Sequence, residues 1–280
     1  MLGAWYTLID AVLPFQWAGH IFMKNALLAV LLITPLFGLI GTMVVSNKMA
    51  FFSDALGHGS FTGIAIGTLL GLVNPTYAAI IFSVVFALTI TTIKEKSRES
   101  ADTIIGVFSS LGVALGLVLM SLGGGFNKYS SYLIGDLLSI TPEQILVLVL
   151  VFIAVIVCWL FIFNKLLLVG INSSLAASRG IKTLPVEMVF TCIVAVVVTI
   201  SIQWVGLLII NALLVLPAAS ARNITGNVRR YTFTAIGIAM LSGLSGLIAS
   251  YYFNTATGAT IVLVSGVFFF ISLALKNKYN

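Results

Sequence analysis

Residues 145–163 read ILVLVLVFIAVIVCWLFIF, an apolar run without a single charged side chain. At 1.5 Å per residue, a helix of about 20 apolar residues crosses a hydrocarbon core about 30 Å thick. Comparable stretches recur at about 23–46, 53–72, 75–93, 103–122, 184–201, 205–221, 232–253 and 257–275, and the run above extends over 145–165. The composition agrees: 60% of the 280 residues are apolar and 8% are charged, against roughly 25% charged in soluble domains. Mean hydropathy is +1.17. The chain therefore predicts an all-α fold, a polytopic transmembrane helical bundle of about eight or nine spans forming one domain over 1–280. The pair around Ser201–Val205 reads either as two spans or as a re-entrant hairpin, and this leaves the count at eight or nine.

Charge placement orients the bundle. The loop Lys94-Glu95-Lys96-Ser97-Arg98-Glu99 is the densest charged segment, and placing it in the cytoplasm assigns every other loop by alternation. Of the 14 Lys and Arg residues, all but Lys24 and Lys128 then fall on the cytoplasmic side, as the positive-inside rule expects. The expected topology has the N-terminus outside and the C-terminus inside, in the inner (cytoplasmic) membrane. Residues 1–19 read as an interfacial lead-in. Met1 to Trp17 carries no basic n-region and no small-residue cleavage site, so the first helix is expected to direct insertion itself. A net charge of +6 does not point to nucleic acid, because the basic residues sit singly at helix ends. Cys158 and Cys192 each lie in an apolar run and form neither a disulfide framework nor a thiolate cluster.

The second span differs from the rest. Gly59, Gly63, Gly67 and Gly71 recur at every fourth position and form a stripe that lets another helix approach at backbone distance. The stripe fits generic tight packing, and it equally fits a central helix beside a transport path. Pro217 in the seventh span interrupts the hydrogen-bond ladder, as broken helices at transporter sites do.

Ionisable groups in a membrane are costly, which makes them the first functional candidates. Asp54 and His58 stand at i and i+4 on one face of the second span, with His58 about 21 Å below the outer surface by helix rise. A carboxylate and an imidazole suit a borderline divalent cation such as zinc, manganese or iron; the same spacing fits an Asp–His hydrogen bond that satisfies only itself. Asp102 reads either as a further ligand or as a cap and dipole partner at the head of the fourth span. Asn211, an amide in mid-span, reads as a ligand or as a cross-bundle hydrogen bond.

No soluble-type catalytic signature is present. Gly123-Gly124-Gly125 is followed by Phe126 and Asn127, not by a phosphate-binding Lys and Ser or Thr, and neither G-x-S-x-G nor H-E-x-x-H occurs. The chain is therefore not expected to be an enzyme or to hold a tightly bound cofactor, and active transport through it would draw its energy from an ion gradient or a separate ATPase subunit.

Five stretches carry a family likeness: Phe22–Ala29 (FMKNALLA), Met49–Gly59 (MAFFSDALGHG), Ala101–Ser110 (ADTIIGVFSS), Leu213–Arg222 (LLVLPAASAR) and Thr257–Leu263 (TGATIVL). In this order they resemble the permease subunits of bacterial ABC importers for zinc and manganese. The resemblance implies a homodimer with transported zinc or manganese as substrate and with ATP bound and hydrolysed by a separate cytoplasmic subunit. It also implies metal delivery by an extracytoplasmic binding protein and metal passage by way of Asp54 and His58. Gly170–Gly180 (GINSSLAASRG) corresponds to the family's short cytoplasmic coupling helix, expected at 172–180. Its usual acidic opening is replaced by Asn172, Ser173 and Ser174, while the Ala176 and Gly180 frame remains. Asn172 is expected to cap it, with Leu175 and Ala176 against the ATPase. The alternative is a proton-coupled secondary transporter of a cation or small solute, with Asp54 and His58 as the relay and no ATPase.

Overall fold

The computed structural model describes residues 3–12, 15–122 and 131–276; Lys128, Lys278 and Gly123–Gly125 lie outside the described residues. In chain order the helices are α1 (Gly3–Val12), α2 (Ile21–Ser46), α3 (Phe52–Leu69), α4 (Thr76–Lys96), α5 (Ala101–Leu122), α6 (Pro142–Ile171), α7 (Ser173–Ser178), α8 (Thr183–Val205), α9 (Leu207–Ile224), α10 (Val228–Phe253) and α11 (Thr257–Lys276), with short turns at Gln16–Gly19, Ser131–Ile134 and Leu137–Ser139. A helix satisfies its own backbone groups, which a bilayer interior requires.

Among the described residues, α2, α4, α5, α6, α8, α10 and α11 are long and apolar enough to cross a membrane. The fold is thus an all-α membrane bundle with about seven long apolar helices. Two of the nine expected spans are weaker. In α3, Asp54, His58, glycines and hydroxyls dilute the apolar residues, and in α9 the apolar part is only Ile209–Ile224. Gly206, at φ +89°, is the single residue between α8 and α9. Pro217 lies inside α9, whose helical course runs unbroken from Leu207 to Ile224. Within the 1–19 lead-in, Gly3–Val12 form the helix α1.

Packing divides the chain into two compact units, one of residues 1–42, 135–154 and 212–280 and the other of 43–134 and 155–211. In the first, α1 is tied to the start of α2: Trp5 Nε1 donates to the Lys24 carbonyl at 3.0 Å, Tyr6 Oη donates to Asn25 Oδ1 at 2.8 Å, and Lys24 Nζ bonds Asp10 at 2.6 Å. Lys24 is buried, with its charge paired. Gly38 gives α10 room, because a Cβ there would stand 2.7 Å from Ile236 Cα; Gly41 abuts the Leu214 carbonyl of α9.

In the second unit α3 packs against α4, α5 and α8. A Cβ at Gly59 would come within 2.8 Å of the Phe86 ring, one at Gly63 within 2.6 Å of Ala79 Cα, and one at Gly67 within 3.0 Å of Pro75 Cα. Three members of the expected stripe are therefore the seam with α4. Gly71 is not part of it. It lies past the helix end at φ +67°, where the Gly71 N–H bonds the Thr68 carbonyl and the Leu72 N–H bonds the Gly67 carbonyl, both at 3.0 Å. That is a Schellman ending, which needs a left-handed residue. On the α5 side Gly112 and Gly116 allow the close approach, and Thr62 Oγ1 donates to the Gly112 carbonyl at 2.6 Å.

Candidate metal site

Asp54 and His58 occupy successive turns of α3, with Asp54 in its first turn. His58 Nε2 and Asp54 Oδ2 are 3.6 Å apart, and the side chains are 21% and 38% exposed respectively. This gap is too long for a hydrogen bond, so the pair does not satisfy itself. It does suit a shared cation. With metal–nitrogen and metal–oxygen bonds of about 2.1 Å, a 3.6 Å separation subtends about 120° at the ion, near a tetrahedral angle.

The helix is held rigidly behind that face. Ser53 Oγ, buried one residue before Asp54, donates to Asn211 Oδ1 at 2.5 Å. Gly57 lies along Leu207 and Ile210, with a Cβ there 3.5 Å from the Leu207 side chain. Asn211 is thereby brought to the same turn as Asp54, and its amide oxygen is already engaged by Ser53.

Asp102 is not brought to the pair. Gly112 of α5 faces the His58–Gly59 backbone, and Asp102 lies ten residues earlier, about 15 Å along the axis. Its place in the first turn of α5 suits the helix dipole. The cap is Ser100 instead, whose Oγ accepts the Thr103 N–H at 3.1 Å. Among the described residues no three His, Cys, Asp or Glu side chains are grouped to hold a metal.

The short helix α7 occupies the expected place. Asn172 Oδ1 accepts the Leu175 N–H at 3.0 Å, which caps its start. At its end Gly180, at φ +77°, sends its N–H to the Ala177 carbonyl at 2.9 Å, and the Ile181 N–H returns to the Ala176 carbonyl at 3.1 Å. Gly180 is thus required by the turn. Leu175 is 43% exposed, whereas Ala176 is fully buried by this chain's own atoms. The apolar side chain that this helix leaves open to a partner is thus Leu175, while Ala176 faces this chain's own atoms.

Sequence reasoning missed the groups that hold α3: Ser53, Ser60 and Thr62, with their partners on α9, on α4 and α8, and on α5 respectively. A hydroxyl in an apolar helix is visible in the sequence, but its partner across the bundle is not.

Comparison with known proteins identifies the family. Residues 19–276 match the ABC 3 transport family. The chain is 30% identical to the high-affinity zinc uptake system membrane protein ZnuB of Buchnera aphidicola subsp. Baizongia pistaciae over 247 residues, covering 88% of this chain and 94% of that one. It is 29% identical to the manganese import system permease protein ScaB of Streptococcus parasanguinis, covering 92% and 91%. Among solved structures it is similar to PsaBC from Streptococcus pneumoniae in complex with Fab, with a TM-score of 0.80 and 27% identity over 99% of this chain and 100% of that one. With its bundle of apolar helices and a match over nearly its whole length, the chain belongs to the ABC 3 transport family and is a transmembrane permease subunit of that family.

Proposed function

We propose that this permease conducts zinc or manganese into the cell, driven by ATP hydrolysis on a separate cytoplasmic subunit, and that Asp54 and His58 are its transient metal ligands. The observation that carries this reading is the carboxylate and imidazole facing each other at 3.6 Å on α3, partly exposed and lacking a mutual hydrogen bond. The zinc and manganese systems named by its relatives support the same cargo. Water completes the coordination transiently, Asn211 holds Ser53 behind the site, and Asp102 serves the helix dipole.

In this reading nine helices cross the inner membrane, the seven long ones plus α3 and α9, with the N-terminus outside and the C-terminus in the cytoplasm. Helix α7 is the coupling helix, capped by Asn172 and ended by Gly180, and it docks on the ATPase through Leu175. Two copies form the pathway and receive metal from an extracytoplasmic binding protein. The stripe Gly59, Gly63 and Gly67 holds α3 against α4, and Pro217 loosens the ladder of α9 beside the backbone that Gly41 accommodates. Uptake of radiolabelled zinc and manganese into vesicles carrying the reconstituted complex tests the assignment. Loss of uptake in His58→Ala, with the complex assembled, is the expected result, and normal uptake overturns it.

A further inference from the structure

Helices α4 and α8 are joined by polar contacts along their full length. Lys94 Nζ donates to Glu187 Oε2 at 2.7 Å, and the Thr91 and Thr191 hydroxyls are 3.1 Å apart. Further along, Ser83 and Thr199 both bond Ser60 of α3, at 2.8 and 2.7 Å. At the far end Gln203 Nε2 donates to Thr76 Oγ1. As the numbers rise along α8 they fall along α4, so the helices run antiparallel in one register. Between Thr76 and Lys94 the contacts span about 27 Å of rise, close to the thickness of a hydrocarbon core.

The central contact reaches the metal helix. Ser60, Ser83 and Thr199 are buried. Ser60 Oγ also bonds the Leu56 carbonyl at 2.8 Å; with its one proton there, Ser83 and Thr199 both donate to its lone pairs. Its hydrogen-bonding capacity is thereby filled, and α3 is held to α4 and α8 two residues beyond His58. The end contact lies near α7. Only residues 179–182 separate α7 from α8, and Glu187 follows within the first turns of α8. Lys94 and Glu187 are each 17% exposed. A largely buried ion pair adds little stability over an apolar pair of similar size, but it sets the register of the two helices.

We propose that α8 is the lever that carries movement of α7 to the Asp54–His58 face of α3, with Lys94–Glu187 and the Ser60–Ser83–Thr199 cluster as the positioning groups that make α3, α4 and α8 move as one body. This rests on the reading of Asp54 and His58 as metal ligands and of α7 as the coupling helix. Displacing α8 then displaces the metal ligands, whereas breaking an attachment lets ATP turn over while the ligands stay put.

The test measures radiolabelled zinc and manganese moved per ATP hydrolysed by the reconstituted complex. The variants are Lys94→Glu, Glu187→Lys, the double exchange, Thr199→Val and Thr199→Ser, with His58→Ala as reference. Each single charge reversal is expected to lower metal moved per ATP about tenfold, and the exchange to restore it to within about threefold. Thr199→Val, nearly isosteric, is expected to lose coupling, and Thr199→Ser, which keeps the hydroxyl, to retain it. An exchange no better than the single reversals, or a Thr199→Val complex as coupled as wild type, overturns the lever. If the single reversals fail to assemble, the Thr199 pair decides. Normal uptake by His58→Ala overturns the metal reading itself, while a dead His58→Ala beside fully coupled Glu187→Lys overturns the lever alone.

Discussion

His58 Nε2 faces Asp54 Oδ2 across 3.6 Å on adjacent turns of α3, a separation that leaves both groups available to a third partner. Two ligands acting on one ion contribute jointly, so their removal is not additive. Asp54→Ala and His58→Ala are each expected to abolish metal uptake in reconstituted vesicles, with the double variant scarcely worse. A double variant much more defective than either single one would show that the residues act separately.

The seam between α3 and α4 makes a second expectation quantitative. A methyl group at Gly63 would stand 2.6 Å from Ala79 Cα, and backbone cannot swing aside as a side chain can. Gly63→Ala is expected to destabilise the chain by about 1–3 kcal/mol, and Gly63→Leu to stop uptake. Gly266 of α11 has no atom within 4 Å of the same position, so Gly266→Ala is the matched control, expected to be silent. Thermal unfolding of the purified protein in detergent compares them.

Leu175 and Ala176 are expected to behave oppositely although they are neighbours. Leu175 is 43% exposed, and Ala176 is fully buried. Leu175→Asp is expected to leave the melting temperature unchanged and to weaken capture of the ATPase subunit. Ala176→Asp places an unpaired charge inside the chain's own packing, at a cost of about 3–5 kcal/mol, and is expected to fail at folding. Copurification and melting curves, measured together, separate the two effects.

Orientation is checked by accessibility. Cysteine at Lys96, at the end of α4, is expected to react with impermeant reagents only from the cytoplasm. Cysteine at Val73, fully exposed between α3 and α4, is expected to react only from outside. The reverse pattern at either position would invert the topology.

The apolar run 145–163 was sufficient by itself to point to a membrane fold, because about 20 apolar residues match the length of a spanning helix, which satisfies its backbone groups within its own segment. The pairing of Asp54 with His58 was also legible, since i and i+4 share a face of any helix, and the family likeness located α7, with Asn172 suited to cap it. Those features depend on residues close together in the chain. What lay beyond the sequence were relations between distant residues. Gly71 shares the spacing of Gly59, Gly63 and Gly67, yet it ends the helix rather than lining its seam, because its φ of +67° belongs to a turn. Asp102 read as a ligand or a helix cap, and Asn211 as a ligand or a cross-bundle hydrogen bond, until the heights of α5 and α9 against α3 placed Asn211 beside Ser53 and left Asp102 about 15 Å along α5 from the turn that meets His58. Periodicity states which way a side chain faces on its own helix, and packing alone determines which helix meets it and at what height. The hydroxyl contacts of Ser60 with Ser83 and Thr199 became visible only in the tertiary structure for that reason.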